Sequence, residues 1–228
     1  MPLREPQFEQ QLASGALSPV YLIASQEPLL LLEAADALRS KARELGYAER
    51  EVFEADHRFD WDTLEASFAT MSLFSTRRVI EVRLPTGKPG KDGGAVLEKF
   101  AKDPAPDILL LVTAAEWSNK HDAAWSRAID QRGSMLVLWP VKPNELAQWI
   151  ARRLKTRGVE ATPDAAALLA ERIEGNLLAA AQEEDLATVS AALAPRAEVL
   201  IIARCSVCHS PDLVAQQRLP RARWEATV

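Results

Sequence analysis

The run "DILLLVT", Asp107 to Thr113, decides the fold. From Ile108 to Val112 every side chain is apolar. Successive side chains of a strand point to opposite faces, so such a strand is at home only where both faces are covered, as in a parallel sheet with helices on each side. Working outward, the same grammar recurs. Upstream stand the β-run "PVYLIAS" (Pro19 to Ser25), the strand-like "REVFEAD" (Arg50 to Asp56) and "RRVIEVRL" (Arg77 to Leu84), and downstream "SMLVLWP" (Ser134 to Pro140). Between them lie helical patterns. They are "REPQFEQQLASG", the long amphipathic "EPLLLLEAADALRSKARELG" closed by Gly46, "FDWDTLEASFAT", "AVLEKFAKD" and "HDAAWSRAIDQRG". Alternation of strand and helix predicts an α/β domain over residues 1–140, with a solvated, flexible loop at "PTGKPGKDGG".

Pro140 and Pro143 mark a boundary, after which only helical patterns follow: "PNELAQWIARRLKTRG", "TPDAAALLAERIEG" and "NLLAAAQEEDLATVSAAL". These predict a small helical domain over 141–187 and leave an irregular tail over 188–228. Composition agrees with a globular chain: 228 residues, 48% hydrophobic and 26% charged, enough for one medium domain and a smaller one. The apolar runs are far shorter than the roughly 20 residues a spanning helix needs. With no apolar leader at "MPLREPQFEQQ", the chain reads as cytoplasmic. A net charge of −5 is no electrostatic footprint for nucleic acid, so contact with DNA would be local or supplied by partners.

A parallel α/β domain followed by a small helical one is the layout of AAA+ nucleotide-binding modules. A P-loop needs G-x-x-x-x-G-K-[ST] after the first strand, because glycine amides and the lysine cradle the phosphates. That position reads "ASQEPLLLLEA", without glycine or lysine. The strand "DILLLVT" runs into "AAEW" and not into an acidic pair for magnesium; Glu116 comes too late. A sensor arginine is expected at the third helix of the small domain, where Leu177 and Leu178 stand. The scaffold is AAA+-like, with no ATPase chemistry and no cofactor of its own expected.

The segments "PVYLIASQEPLLLLEAADALR", "MSLFSTRR", "DILLLVTAAEWSNK", "AAWSRAID" and "EGNLLAAAQE", in this order and spacing, resemble the delta subunit of the bacterial DNA polymerase III clamp loader. The resemblance runs from Met1 to about Asp185. It implies a subunit that does not hydrolyse ATP, binds the sliding clamp (the beta subunit) and opens it for loading onto primed DNA. Implied partners are the ATPase subunits, delta prime and DNA within the assembled complex. It further implies that Leu73 and Phe74, within Met71, Ser72, Leu73 and Phe74, point outward into a clamp pocket. Read by composition alone, that pair would be core at the end of a helix. Arg77 and Arg78 read as a solvated turn, with a second reading as charge complementing an acidic clamp surface.

Other residues carry less. Arg152, Arg153, Lys155 and Arg157 flank the apolar stripe Leu146, Trp149, Ile150 and Leu154 and read as a solvated face. The six tryptophans are scattered and read as core. Asp60, Asp62 and Glu65 read as a solvated helix face. The tail departs from the resemblance after about Ala187, where a third, collar-forming helical domain is expected. Within it Cys205, Cys208 and His209 form C-x-x-C-H, which resembles the haem-attachment start of a c-type cytochrome and gives an electron-transfer protein as the alternative function. A haem or metal site there is the weaker reading, because no methionine follows Met135 to serve as second axial ligand. Inert thiols in a divergent tail are the preferred one.

Overall fold

The structure, a computed structural model, describes residues 2–70 and 77–182. The chain divides into two compact units, one ending at Pro140 and one beginning at Val141. The first unit runs α1 (Glu5–Ser14), β1 (Val20–Ser25), α2 (Pro28–Glu44), β2 (Glu49–Glu54), α3 (Trp61–Ala69), β3 (Arg78–Leu84), α4 (Gly90–Lys102), β4 (Ile108–Ala114), α5 (Ala124–Arg132) and β5 (Ser134–Leu138). Its five strands form one sheet in the order β2-β3-β4-β1-β5. Every pairing is parallel, with Leu22 opposite Val112 and Met135, and Val82 opposite Val112 and Phe53.

Side-chain alternation divides the sheet's residues between two helical layers. Val20, Leu22 and Ala24 of β1, Ile80, Val82 and Leu84 of β3, and Leu110 and Val112 of β4 share one core with Leu64 of α3, Leu97 and Phe100 of α4, and Trp125 and Ile129 of α5. On the opposite face, Tyr21 of β1 meets Phe8 of α1 edge to face at 6.2 Å. Leu29, Leu38 and Ala42 of α2 are buried there too. All residues of β1 and β4 are buried, which is what the double-faced apolar run "ILLLV" requires. The α/β, AAA+-like class read from the sequence is the one found.

The second unit holds a short 3-10 turn at Pro143–Glu145, then α6 (Leu146–Thr156), α7 (Pro163–Ile173) and a further helical stretch over 177–182. Leu146, Ile150 and Leu154 are buried as the stripe predicts. Trp149 lies half-buried beneath the Arg153 guanidinium, 4.5 Å from its ring centre, so part of the basic tract covers an aromatic face. Thr162 caps α7, its Oγ1 accepting from the Ala165 amide at 3.3 Å.

Three local expectations change. The stretch "GKDGG" is not a flexible loop but the first turns of α4, and Gly93 and Gly94 are buried. They are glycines because indole rings lie against the helix. A Cβ on Gly93 would stand 2.3 Å from the Trp61 ring, whereas one on Gly94 would stand 3.5 Å from Trp125. Asp60 is the N-cap of α3, accepting from the Asp62 amide at 3.0 Å, and not part of a helix face. Trp139 is 60% exposed and is not core.

The two glycines should therefore respond oppositely to alanine. Gly94→Ala gains helix propensity and meets only ordinary contact, so it should stabilise by about 0.5–1 kcal/mol. Gly93→Ala gains the same propensity but must displace a ring, which costs about 1–3 kcal/mol. Its net effect should be a lower melting temperature. Thermal unfolding of the two variants beside the parent checks the sign of each.

Candidate functional site

The link from α3 to β3 is described at both of its ends. At the first, Thr70 follows the last helical residue, its amide donating to the Ser67 carbonyl and its Oγ1 to the Ala66 carbonyl at 2.9 Å. At the second stand Arg77 and Arg78. Arg77 Nη1 donates to the Leu45 carbonyl at 3.3 Å, and its guanidinium lies 5.6 Å from the Tyr47 ring centre. Arg78 is buried, contrary to its reading as a solvated turn. Its Nη2 donates to the Ser67 and Thr70 carbonyls, both at 2.5 Å, and its backbone amide donates to Asp107 at 2.9 Å. A cation facing the last carbonyls of α3 satisfies acceptors that lack partners within the helix and lies at the negative end of its dipole. The residues expected to dock, Met71, Ser72, Leu73 and Phe74, fall outside the described residues.

Behind this edge β3 is tied to its neighbours by Glu81, a carboxylate on the α2 side that is 1% exposed. Arg39 of α2 reaches its two oxygens at 3.2 and 3.1 Å, Arg50 of β2 donates through Nε at 2.9 Å, and Arg83 donates at 2.9 Å. Burial by itself pushes the Glu81 carboxyl up. The hydrogen bonds from Arg83 and Arg50 and the charges of Arg39 and Arg50 outweigh it, so the carboxyl is held below its ordinary value of 4.5. One buried anion thus pins α2, β2 and β3 together. The sequence reading passed over it, although a lone glutamate inside "RVIEVRL" is the signal that could have marked it.

The opposite edge of the sheet is the crevice at the strands' C-terminal ends, where ligands of open α/β sheets bind. Here Pro28 occupies the first turn of α2, and the Ser25 side chain accepts from the Glu27 amide at 3.0 Å. An anion at this helix start would face a proline, which has no N–H, and the Glu27 carboxylate. Gln26 Nε2 reaches the Trp117 carbonyl at 3.4 Å. Beyond β3, Gly87 takes φ +67°, and a Cβ there would come within 2.0 Å of the Glu116 carbonyl oxygen. His121 is held beside it, Nε2 at 3.2 Å from the Thr86 carbonyl and Nδ1 at 2.9 Å from the Ser118 amide, which as a donor makes Nδ1 the acceptor. Glu116 is therefore engaged through its backbone in the packing of two loops.

Among the described residues no group of three or more His, Cys, Asp or Glu could hold a metal ion. Cys205, Cys208 and His209 lie outside the described residues, as do Glu183 and the residues beyond it. Leu177 is buried and Leu178 is 43% exposed, at the start of the helical stretch that Asn176 caps by accepting from the Ala179 amide at 3.1 Å. Among the described residues no helix is long and apolar enough to cross a membrane.

The sheet order, its two helical layers and the separate helical unit define the class as an AAA+-like module. The chain belongs to the DNA polymerase III delta subunit family, whose model, described as "DNA polymerase III, delta subunit", matches residues 21–137. It is 32% identical over 177 residues to DNA polymerase III subunit delta of Escherichia coli (strain K12), covering 77% of this chain and 51% of that one. To the subunit delta of Haemophilus influenzae (strain ATCC 51907 / DSM 11121 / KW20 / Rd) it is 29% identical over 185 residues, covering 77% of this chain and 52% of the relative. It resembles the solved Bacillus subtilis DNA clamp loader delta protein with TM-score 0.63 at 21% identity, over 80% of this chain and 56% of that one; at this identity the likeness speaks for the fold. The chain spans about half the length of the curated relatives it matches.

Glu81 gives a pH prediction. Because its carboxyl is depressed on folding, it contributes stability that is present above its ordinary value of 4.5 and is lost as pH falls through the lower folded value. Glu81→Gln should cost about 3 kcal/mol near neutrality, since Arg39 is left buried without its anion. The loss should shrink below about pH 4. Urea unfolding of parent and variant from pH 7 to pH 3 measures both.

Proposed function

We propose that this chain is the clamp-binding part of a clamp-loader delta subunit, which holds the sliding clamp through Leu73 and Phe74 and opens one ring interface without using ATP. The supporting observation is the family match over residues 21–137, which spans the whole Met71 to Phe74 element together with the helix and strand that flank it. In this reading Met71 and Ser72 position the pair and the doubly layered sheet behind them is the lever. The ATPase subunits, delta prime and primed DNA are its companions in the cytoplasm. Their role is to control access to the docking surface.

The energetics suffice. Burying a leucine or phenylalanine in a partner's pocket is worth about 1.5–3 kcal/mol each, so two adjacent anchors can dominate an interface. Opening a ring requires only that the binder hold the distorted clamp subunit more tightly than the relaxed one, because a ligand shifts an equilibrium by its differential affinity.

Two measurements test the reading. Replacing Leu73 and Phe74 together by alanine should weaken clamp binding by about 2–4 kcal/mol for each true anchor, with the melting temperature unchanged. Were the pair core instead, each substitution should lower stability by about 2–5 kcal/mol, and a double variant that melts early or binds the clamp like the parent overturns the proposal. Separately, titration with a fluorescent ATP analogue in magnesium should show no saturable binding. Micromolar affinity there would contradict the non-ATPase role.

A further inference from the structure

Arg78 opens β3 and stands eight positions along the chain from Thr70. Its guanidinium is satisfied unevenly. Nη2 donates to two carbonyls at the end of α3, Nη1 stands 3.8 Å from the Glu51 carboxylate, and Nε is buried without a partner. Glu51 itself is engaged elsewhere, accepting from Ser67 Oγ at 2.6 Å. Glu49, opposite Arg78 in the β2–β3 register, also keeps one buried carboxylate oxygen unpaired. A buried cation with a distant counter-charge and an idle donor is a poor device for stability alone, since an apolar side chain would fill the same space without the desolvation cost. What the arginine adds is direction. One planar group fixed at the first residue of β3 grips the last turn of α3, so both ends of the link are closed against each other and against β4 through Asp107.

We infer that Arg78 is a positioning residue for clamp docking: it closes the neck of the α3–β3 link so that the anchors between its ends need little ordering when they bind. The inference rests on the proposed role of Leu73 and Phe74. Ends held together remove closure entropy from the link before the partner arrives, and ordering not required at binding appears as affinity. Lysine at this position keeps the charge but offers no planar fork to reach two carbonyls at once.

The test measures clamp binding of the full chain by surface-immobilised kinetics for the parent, Phe74→Ala, Arg78→Lys and the double variant, with melting temperatures alongside. Arg78→Lys should weaken clamp binding about ten-fold, chiefly through faster dissociation, with its melting temperature within a few degrees of the parent. In the Phe74→Ala background the same change should cost much less, because the grip then has less to position. A purely structural arginine would leave affinity at temperatures below unfolding unmoved, or lower it equally in both backgrounds, and either result overturns the inference while the docking reading stands. If Phe74→Ala binds like the parent, the docking reading falls and this inference with it. Should Arg78→Lys fail to fold, Glu51→Gln replaces it, releasing Ser67 and the charge beside the guanidinium. A loss of about three-fold at unchanged melting temperature supports the grip, and parental affinity overturns it.

Discussion

Everything in the first unit follows from the requirement that β1 and β4 be dry on both faces. A parallel strand cannot return through a tight hairpin, so each connection must cross over, and the crossing helices supply the two apolar covers that the strands demand. α1 and α2 take the Tyr21 side; α3, α4 and α5 take the Leu22 side. Parallel direction also sorts the loops: links from helix to strand gather at one edge of the sheet, links from strand to helix at the other. The two regions that matter for function are thereby separated by the length of the strands.

At the strand-to-helix edge, positions that could have served a nucleotide serve packing. Ser25 holds the Glu27 amide, Gln26 reaches the Trp117 carbonyl, Gly87 lets the Glu116 backbone approach, and His121 ties the loop after β3 to the loop after β4. At the helix-to-strand edge, by contrast, charge is concentrated on the backbone itself. Arg77 takes the Leu45 carbonyl at the end of α2, and Arg78 takes two carbonyls at the end of α3. Two adjacent arginines thus bind the tails of two helices that lie on opposite faces of the sheet.

Sequence pattern revealed the strands and most helices because burial on two faces writes itself as unbroken apolar runs, and amphipathic helices write a 3.6-residue period. It failed where tertiary contact overrides local preference. Gly93 and Gly94 look like loop residues until Trp61 and Trp125 are seen to lie against them; nothing nearby in sequence announces a ring from another helix. Arg78 looks solvated because arginine usually is, and only the carbonyls of Ser67 and Thr70 make its burial tolerable. Trp139 looks like core by residue type alone. The docking element was legible only through family resemblance, since a leucine and a phenylalanine before a strand carry no mark of which way they face.

A protein that prises open a ring must transmit force from a small hydrophobic contact without deforming itself. A link standing on a soft support would relax and leave the ring closed, so stiffness at the base counts as much as contact at the tip. β3 meets that need from both directions. Arg78 fixes its first residue to α3 and β4, while Glu81, three residues on, fixes it to α2 and β2 through arginines. Neither charge is an economical way to stabilise a sheet, because both require desolvation that apolar residues avoid. Their shared property is directional rigidity: each holds elements from different layers at bond-length distances, so a load applied beside β3 is carried by four elements of the domain at once.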